Sequence, residues 1–318
     1  MIDSKEKSSK NPFSLRKRVL IITGPTASGK SSIAEYIASE YFGEIISADS
    51  CQIYKKLDIG TAKPQNPQVP YHLIDFLDLG KRYDAKSFFE DTENIIGEII
   101  ERNNFPLICG GTGFYIRALT EGIFKGDFKD IEFRNRYMER YEKGDDLHSE
   151  LKAVDPIAAS KIHPNNYIRI IRALEVYHVS GKPISWQWKN RKPIKSKYDF
   201  VKIAIRLPRD YLRKRIFERT KKMFQAGWLD EVKSLLSEGT SPDCPAMESV
   251  GYKQIIDYLN DKLKYDELVE NVFHKTWQYS RRQMVWLRKE PNLIWIDINE
   301  DMSIKEKADK ILDIYMKD

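Results

Sequence analysis

The segment Gly24-Pro25-Thr26-Ala27-Ser28-Gly29-Lys30-Ser31 fills every position of G-x-x-x-x-G-K-[ST]. It follows the short apolar run Arg18 to Thr23 and precedes a helical pattern from Ser31 to Glu40. A strand, this loop and a helix in that order constrain the fold strongly. The glycines let several backbone N–H groups converge on one anion, the helix dipole adds positive potential, and Lys30 adds a mobile charge. Ser31 is the position expected to hold Mg²⁺. A diphosphate or triphosphate is therefore expected here, without indication of which one.

Two further strand-like runs end in turns. Glu44 to Ala48 leads into Asp49-Ser50-Cys51-Gln52, and Pro106 to Cys109 leads into Gly110-Gly111-Thr112-Gly113 and a helical Phe114 to Thr120. Strands alternating with helices predict a parallel sheet covered on both faces, with ligands beyond the carboxyl ends of the strands. Asp49 there is either a helix cap or a general base, and Thr112 either a cap or a phosphate contact. Spacing alone leaves both open. The third run offers no terminal carboxylate for Mg²⁺, which counts against an ordinary nucleoside triphosphatase. A small-molecule or nucleoside kinase using Asp49 as base stays as the alternative, with a nucleotide-driven switch protein behind it.

From Glu121 the chain turns charged and mostly helical as far as Ser185, and Trp186 to Lys197 reads as a connector with five basic residues and no acid. A strand over Phe200 to Leu207, helices through Trp286 and a last strand over Leu293 to Ile298 complete the pattern. The expected architecture is an α/β, parallel-sheet core like the P-loop nucleoside triphosphate hydrolases, with a helical insertion domain. Its core covers residues 18–120 and 198–318, and its insertion residues 121–197.

Three widely spaced cysteines, Cys51, Cys109 and Cys244, fit neither a zinc cluster nor a disulfide framework. Met1 to Arg18 lacks an apolar signal core and reads as a disordered lead-in, and no run is long enough for a membrane span. A cytoplasmic location without membrane attachment is the expectation. Lys and Arg exceed Asp and Glu by 53 to 47, a mild pointer to a polyanionic partner. The bases concentrate: seven against two acids over Arg209 to Lys222, and five against none over Lys275 to Lys289.

The segments GPTASGKS, SADSCQIY with LDIGTAKP, GGTGFYIRAL, IRIIRALEVYHVSGKPIS and VGYKQ occur in order. Together they resemble the tRNA dimethylallyltransferase (tRNA isopentenyltransferase) family of bacterial type, from about Val19 to Arg288. The resemblance implies that residues Gly24 to Ser31 grip the diphosphate of dimethylallyl diphosphate. It further implies that Asp49 is the general base for the exocyclic N6 amine of the adenosine 3′ to the anticodon, and that Thr112 contacts the bridging oxygen. Asp49, Ser50, Cys51, Gln52 and Thr112 would meet the flipped nucleotide. Arg134 in the insertion would touch the tRNA, as would the helix carrying Arg169 and Arg172. That helix is expected to pack through Ile168, Ile171 and Leu174.

The last motif departs from the family pattern, reading Thr276-Trp277-Gln278-Tyr279-Ser280-Arg281-Arg282-Gln283 with Trp277 where an arginine is usual. Gln278, Arg281 and Arg282 remain candidate RNA contacts. The family's eukaryotic Cys/His zinc module does not follow the last helix, so no structural zinc is expected. Mg²⁺ is the expected cofactor and a monomer the expected state.

Overall fold

The computed structural model describes residues 18–123, 128–190 and 193–317. The expected N-terminal lead-in lies almost wholly outside them. Contacts divide the chain into two compact units, residues 1–120 with 196–318, and residues 121–195.

The first unit is built on six parallel strands in the order β3-β2-β4-β1-β5-β6. They are β1 (Arg18–Thr23), β2 (Gly43–Ala48), β3 (Tyr71–His72), β4 (Phe105–Gly110), β5 (Asp199–Arg206) and β6 (Leu293–Asp297). Val19, Leu20, Ile21 and Ile22 of β1 are all fully buried. That requires cover on both faces, as parallel sheets have, and each isoleucine so placed contributes about 1.5–3 kcal/mol. The first helices of this unit are α1 (Lys30–Glu40), α2 (Ala85–Glu101) and α3 (Gly113–Glu121). The register then decides where the motifs fall. Thr23 of β1 and Ala48 of β2 both lie level with Gly110 of β4. Three turns that are far apart in sequence therefore leave the sheet side by side.

The second unit is helical: α4 (Ile131–Glu142), α5 (Leu147–Val154), α6 (Pro156–Lys161), α7 (Tyr167–Ser180) and α8 (Ile184–Asn190). Its core joins Phe133, Leu147, Leu151, Ile170, Ile171 and Leu174. Ile168 is not part of it and is 66% exposed. The packed stripe of α7 runs through Ile170 instead, two residues beyond the expected position. Helix α8 also replaces the first part of the expected connector. It follows directly on Pro183, whose carbonyl accepts from the Trp186 N–H, and it buries Gln187. Residues 191–192 of that connector lie outside the described residues.

The chain returns to the first unit through β5, then α9 (Arg209–Gln225), α10 (Trp228–Ser237), α11 (Tyr252–Leu259), α12 (Tyr265–Leu287) and, after β6, α13 (Ile304–Lys317). Helices α2 and α13 and strand β3 were not anticipated from sequence. In α2 the Asp84 carboxylate caps the first turn by accepting from the Lys86 and Ser87 N–H groups, and Phe88, Phe89, Thr92, Ile96 and Ile99 form the buried face. Among the described residues no helix is long and apolar enough to cross a membrane.

Candidate active site

The turn after β1 wraps into the N-terminus of α1, with Ala27 held at φ 63°. A non-glycine residue in that region stores strain, which persists only where neighbours dictate the backbone. Here α9 supplies them. Arg215 Nε donates to the Ala27 carbonyl at 2.9 Å, and Arg219 Nη1 approaches Thr26 Oγ1 at 3.3 Å. Ser28 is buried and its Oγ has no hydrogen-bond partner among the described residues. Gly24 and Pro25 are buried, whereas Thr26, Ala27, Gly29, Lys30 and Ser31 line a cavity of about 750 Å³.

Asp49 lines the same cavity and also a smaller one of about 100 Å³ that adjoins it. Its Oδ1 accepts from the Cys51 N–H at 2.9 Å and the Gln52 N–H at 3.4 Å. Its Oδ2 accepts no hydrogen bond from the described residues and remains available for a proton. The turn that caps Asp49 therefore leaves half of its carboxylate for chemistry.

Burial lowers the pKa of Lys30, against the opposing pull of Cys109 and Asp49, while nearby Arg219 pushes it further down. Burial also lowers the pKa of Arg219, with Asp49 acting the other way. Two cations held in a poorly solvated site lack sufficient countercharge, and a diphosphate would supply it. Burial pushes the Cys51 thiol up to about 12 and the Cys109 thiol up to about 11, so both are neutral thiols at physiological pH. Burial, then the charge of Asp49, raises the pKa of the Tyr279 hydroxyl, which lines both cavities as a neutral phenol.

Thr112 joins the turn after β4 to the turn after β2. Its N–H donates to the Ala48 carbonyl at 3.0 Å, and its hydroxyl accepts from the Ser50 N–H at 2.9 Å and lies 3.3 Å from Ser50 Oγ. It ties the turn after β4 to the residue following Asp49. Gln52 is likewise engaged within the protein. Its Oε1 accepts from Ser47 Oγ and its Nε2 donates to the carbonyls of Thr61 and Ala62 in the LDIGTAKP segment. That segment is itself fixed. Lys63 bonds Asp58, Asp75 and the Tyr54 carbonyl, and Glu231 accepts from the N–H groups of Asp58 and Ile59. The Trp228 indole fills the space where a side chain at Gly60 or Gly251 would begin, 2.1 and 1.9 Å from the respective Cβ positions. The glycines of DIGTAKP and VGYKQ are thus explained by one tryptophan that neither motif contains.

On α12, Gln278, Arg281 and Arg282 are exposed, with the Arg282 guanidinium over the Tyr279 ring at 5.9 Å. Trp277 packs against the core, with Arg209 over its ring, rather than standing free to stack on a base. In the helical unit, Arg134 and Arg172 converge on the fully buried Glu175 at 2.7 and 2.6 Å. Arg172 also donates to the Phe128 carbonyl, while Arg169 is exposed.

The arrangement matches known proteins along nearly its whole length. Residues 52–290 match the family described as IPP transferase, and residues 17–75 match the one described as isopentenyl transferase. The chain belongs to the tRNA dimethylallyltransferase family. A tRNA dimethylallyltransferase of Carboxydothermus hydrogenoformans is 41% identical over 304 residues, covering 94% of this chain and 97% of that protein. The crystal structure of a tRNA isopentenylpyrophosphate transferase from Bacillus halodurans superposes with a TM-score of 0.69 at 33% identity, covering 95% of this chain and 98% of that one. A eukaryotic dimethylallyltransferase acting on tRNA superposes with a TM-score of 0.79 at 26% identity, over 94% of this chain and 79% of that one. These matches agree with the P-loop-like parallel sheet and do not favour the kinase alternative.

Sequence reasoning missed three parts of the site. Arg215 and Arg219 had been grouped with a basic run expected to face RNA, and their four-residue spacing was the available signal for a single shared face. Tyr279 and Gln283 lie in the flagged α12 motif but point into the cavity.

Proposed function

We propose that this chain transfers the dimethylallyl group of dimethylallyl diphosphate to the N6 amine of the adenosine 3′ to the anticodon in tRNA, releasing diphosphate. One observation carries this reading. Asp49 and Lys30 line one cavity, so a base and an anion cradle share a single reaction space.

The diphosphate sits on the loop of residues 24–31, facing its N–H groups, Lys30 and Arg219. As the C1–O bond breaks, its electron pair leaves with the diphosphate, and these donors stabilise the charge that develops. The amine lone pair forms the new N6–C1 bond, and Asp49 Oδ2 takes the amine proton. A stacked base cannot enter this cavity, so the nucleotide flips out of the anticodon loop to react. Thr112 and Ser50 hold Asp49 in place. Arg134, Arg169, Arg172, Gln278, Arg281 and Arg282 face the anticodon stem-loop, and Cys51 contributes a neutral wall beside the base.

The Ser31 hydroxyl and the Asp49 carboxylate both line the cavity, and Mg²⁺ ordinarily takes one or two protein oxygens, with phosphate and water oxygens completing its shell. The donor set therefore fits Mg²⁺ with Ser31 as ligand. When bound, the ion would neutralise charge on the departing diphosphate. The protein works as a monomer in the cytoplasm.

The test is incorporation of radiolabelled dimethylallyl diphosphate into unmodified tRNA bearing that adenosine, with Mg²⁺ and without ATP. Label in the tRNA is the expected result. Absence of label alongside phosphorylation of a small molecule would overturn the reading.

A further inference from the structure

The last residue of the α12 motif, Gln283, has no part in the chemistry above, yet its amide joins two of the three turns that build the site. It is 8% exposed. Its Oε1 accepts from the Thr26 N–H of the phosphate loop at 2.8 Å, and its Nε2 donates to the Gly111 carbonyl at 3.1 Å. The fit is close, because a Cβ at Gly111 would lie 2.4 Å from Nε2. From Gly111 the chain of bonds continues. Thr112 N–H donates to Ala48, and the Thr112 hydroxyl accepts from Ser50 N–H, directly beside Asp49.

An amide is the side chain suited to this task, since one end accepts and the other donates. The Thr26 N–H is a loop donor directed at Gln283, so Gln283 fixes the loop rather than the anion. Both bonds are partly shielded from water and each matches a donor to an acceptor, which favours the closed bridge. In-line displacement at C1 needs the leaving oxygen and the amine held at a fixed separation, and an error of about 1 Å can cost about a hundredfold in rate.

We propose that Gln283 is a positioning residue. It sets the spacing between the diphosphate cradle and the turn that carries Thr112 and orients Asp49. This inference rests on the prenyl-transfer reading and deepens it.

The experiment compares wild type with Gln283→Leu, Gln283→Asn and Gly111→Ala, measuring kcat, the donor KM, tRNA affinity by filter binding and the melting temperature. Leucine removes both bonds. Asparagine keeps the amide but is one methylene too short to reach both partners. Alanine at 111 pushes the amide away without altering it. The expected result is a loss of about tenfold to a hundredfold in kcat for all three. tRNA affinity should stay within about twofold.

Wild-type kcat in Gln283→Leu, measured well below its melting temperature, would overturn the proposal. So would a loss confined to tRNA affinity, which would make Gln283 a substrate contact. If Gln283→Leu does not fold, the other two variants decide by the same criteria. Absence of label with wild type would instead sink the prenyl-transfer reading, which separates the two failures.

Discussion

Arg219 on α9 and Arg172 on α7 both come from helices that read as basic and RNA-facing, and the structure anchors them in opposite ways. Arg215 and Arg219 bond neutral groups, the Ala27 carbonyl and Thr26 hydroxyl of the phosphate loop and the Tyr211 hydroxyl of α9. Among the described residues neither makes an ion pair, so their charge is left for a ligand. Arg172 and Arg134 share one buried carboxylate, Glu175, which orients them and leaves about one net positive charge between the pair. The first anchoring suits a dense, buried anion. The second suits a diffuse, hydrated one such as an RNA backbone, where a guanidinium must be aimed without being buried. Charge count alone cannot separate the two uses; the partner atom does.

The largest effect should come from the group that the arginine arrangement serves. Asp49→Ala is expected to lower single-turnover label transfer by about 10²–10⁴ while leaving tRNA binding intact. Comparable turnover would remove Asp49 from the mechanism and with it the reason for a buried cation pair.

Arg219→Ala sharpens the contrast directly. It should reduce kcat/KM for dimethylallyl diphosphate by about tenfold to a hundredfold, the worth of a hydrogen bond to a charged group, with tRNA affinity unchanged. A loss of tRNA affinity instead would place Arg219 with the RNA contacts and erase the distinction.

Glu175→Gln tests the other anchor. The two guanidinia are 39–40% exposed, so water screens part of the loss, and a destabilisation of about 1–3 kcal/mol in thermal melting is expected. An unchanged melting curve would mean that Glu175 does not organise the pair. Arg172→Ala should be milder in binding, weakening tRNA affinity a few-fold and flattening its salt dependence by about one unit of slope. No change in slope would exclude a phosphate contact there.

The smallest effect concerns pH. Burial holds the Lys30 pKa below its ordinary value of 10.5, so its charge is lost at a lower pH than for an exposed lysine. The donor KM should therefore rise with alkaline pH earlier than ordinary lysine titration allows. Bound diphosphate favours the charged form, so kcat at saturating donor should show the fall at higher pH. Coincident profiles for kcat and kcat/KM would show that the diphosphate does not meet Lys30.

Much of the site was legible because its determinants are local. The phosphate loop needs a fixed spacing of glycines and Lys30 between a strand and a helix, and that pattern sits within eight residues. Asp49 was legible as the first polar residue after a buried strand. The features that were not legible depend on groups distant in sequence. Ile168 was assigned to the packed face of α7, but the partner helices of that unit select Ile170. The Thr112 hydroxyl accepts from the Ser50 N–H across the strand ends, a bond that no motif announces. The Gln52 amide bonds the LDIGTAKP segment, a link that the sequence does not show.

Sequence alone therefore determined the strand–loop–helix unit, the parallel α/β class, the helical insertion and the family, since each rests on short-range periodicity or on a motif contiguous in the chain. Tertiary structure decided the rest. Only the register of β1, β4 and β2 sets the turns that lead to Lys30, Thr112 and Asp49 side by side, and only the packing of α9 and α12 turns Arg219 and Gln283 onto the loop. The physical reason is that a hydrogen bond is made with whichever partner lies within about 3 Å in the folded chain. Gln283 and Thr26, 257 residues apart, carry no sign of one another until the sheet and helix have packed.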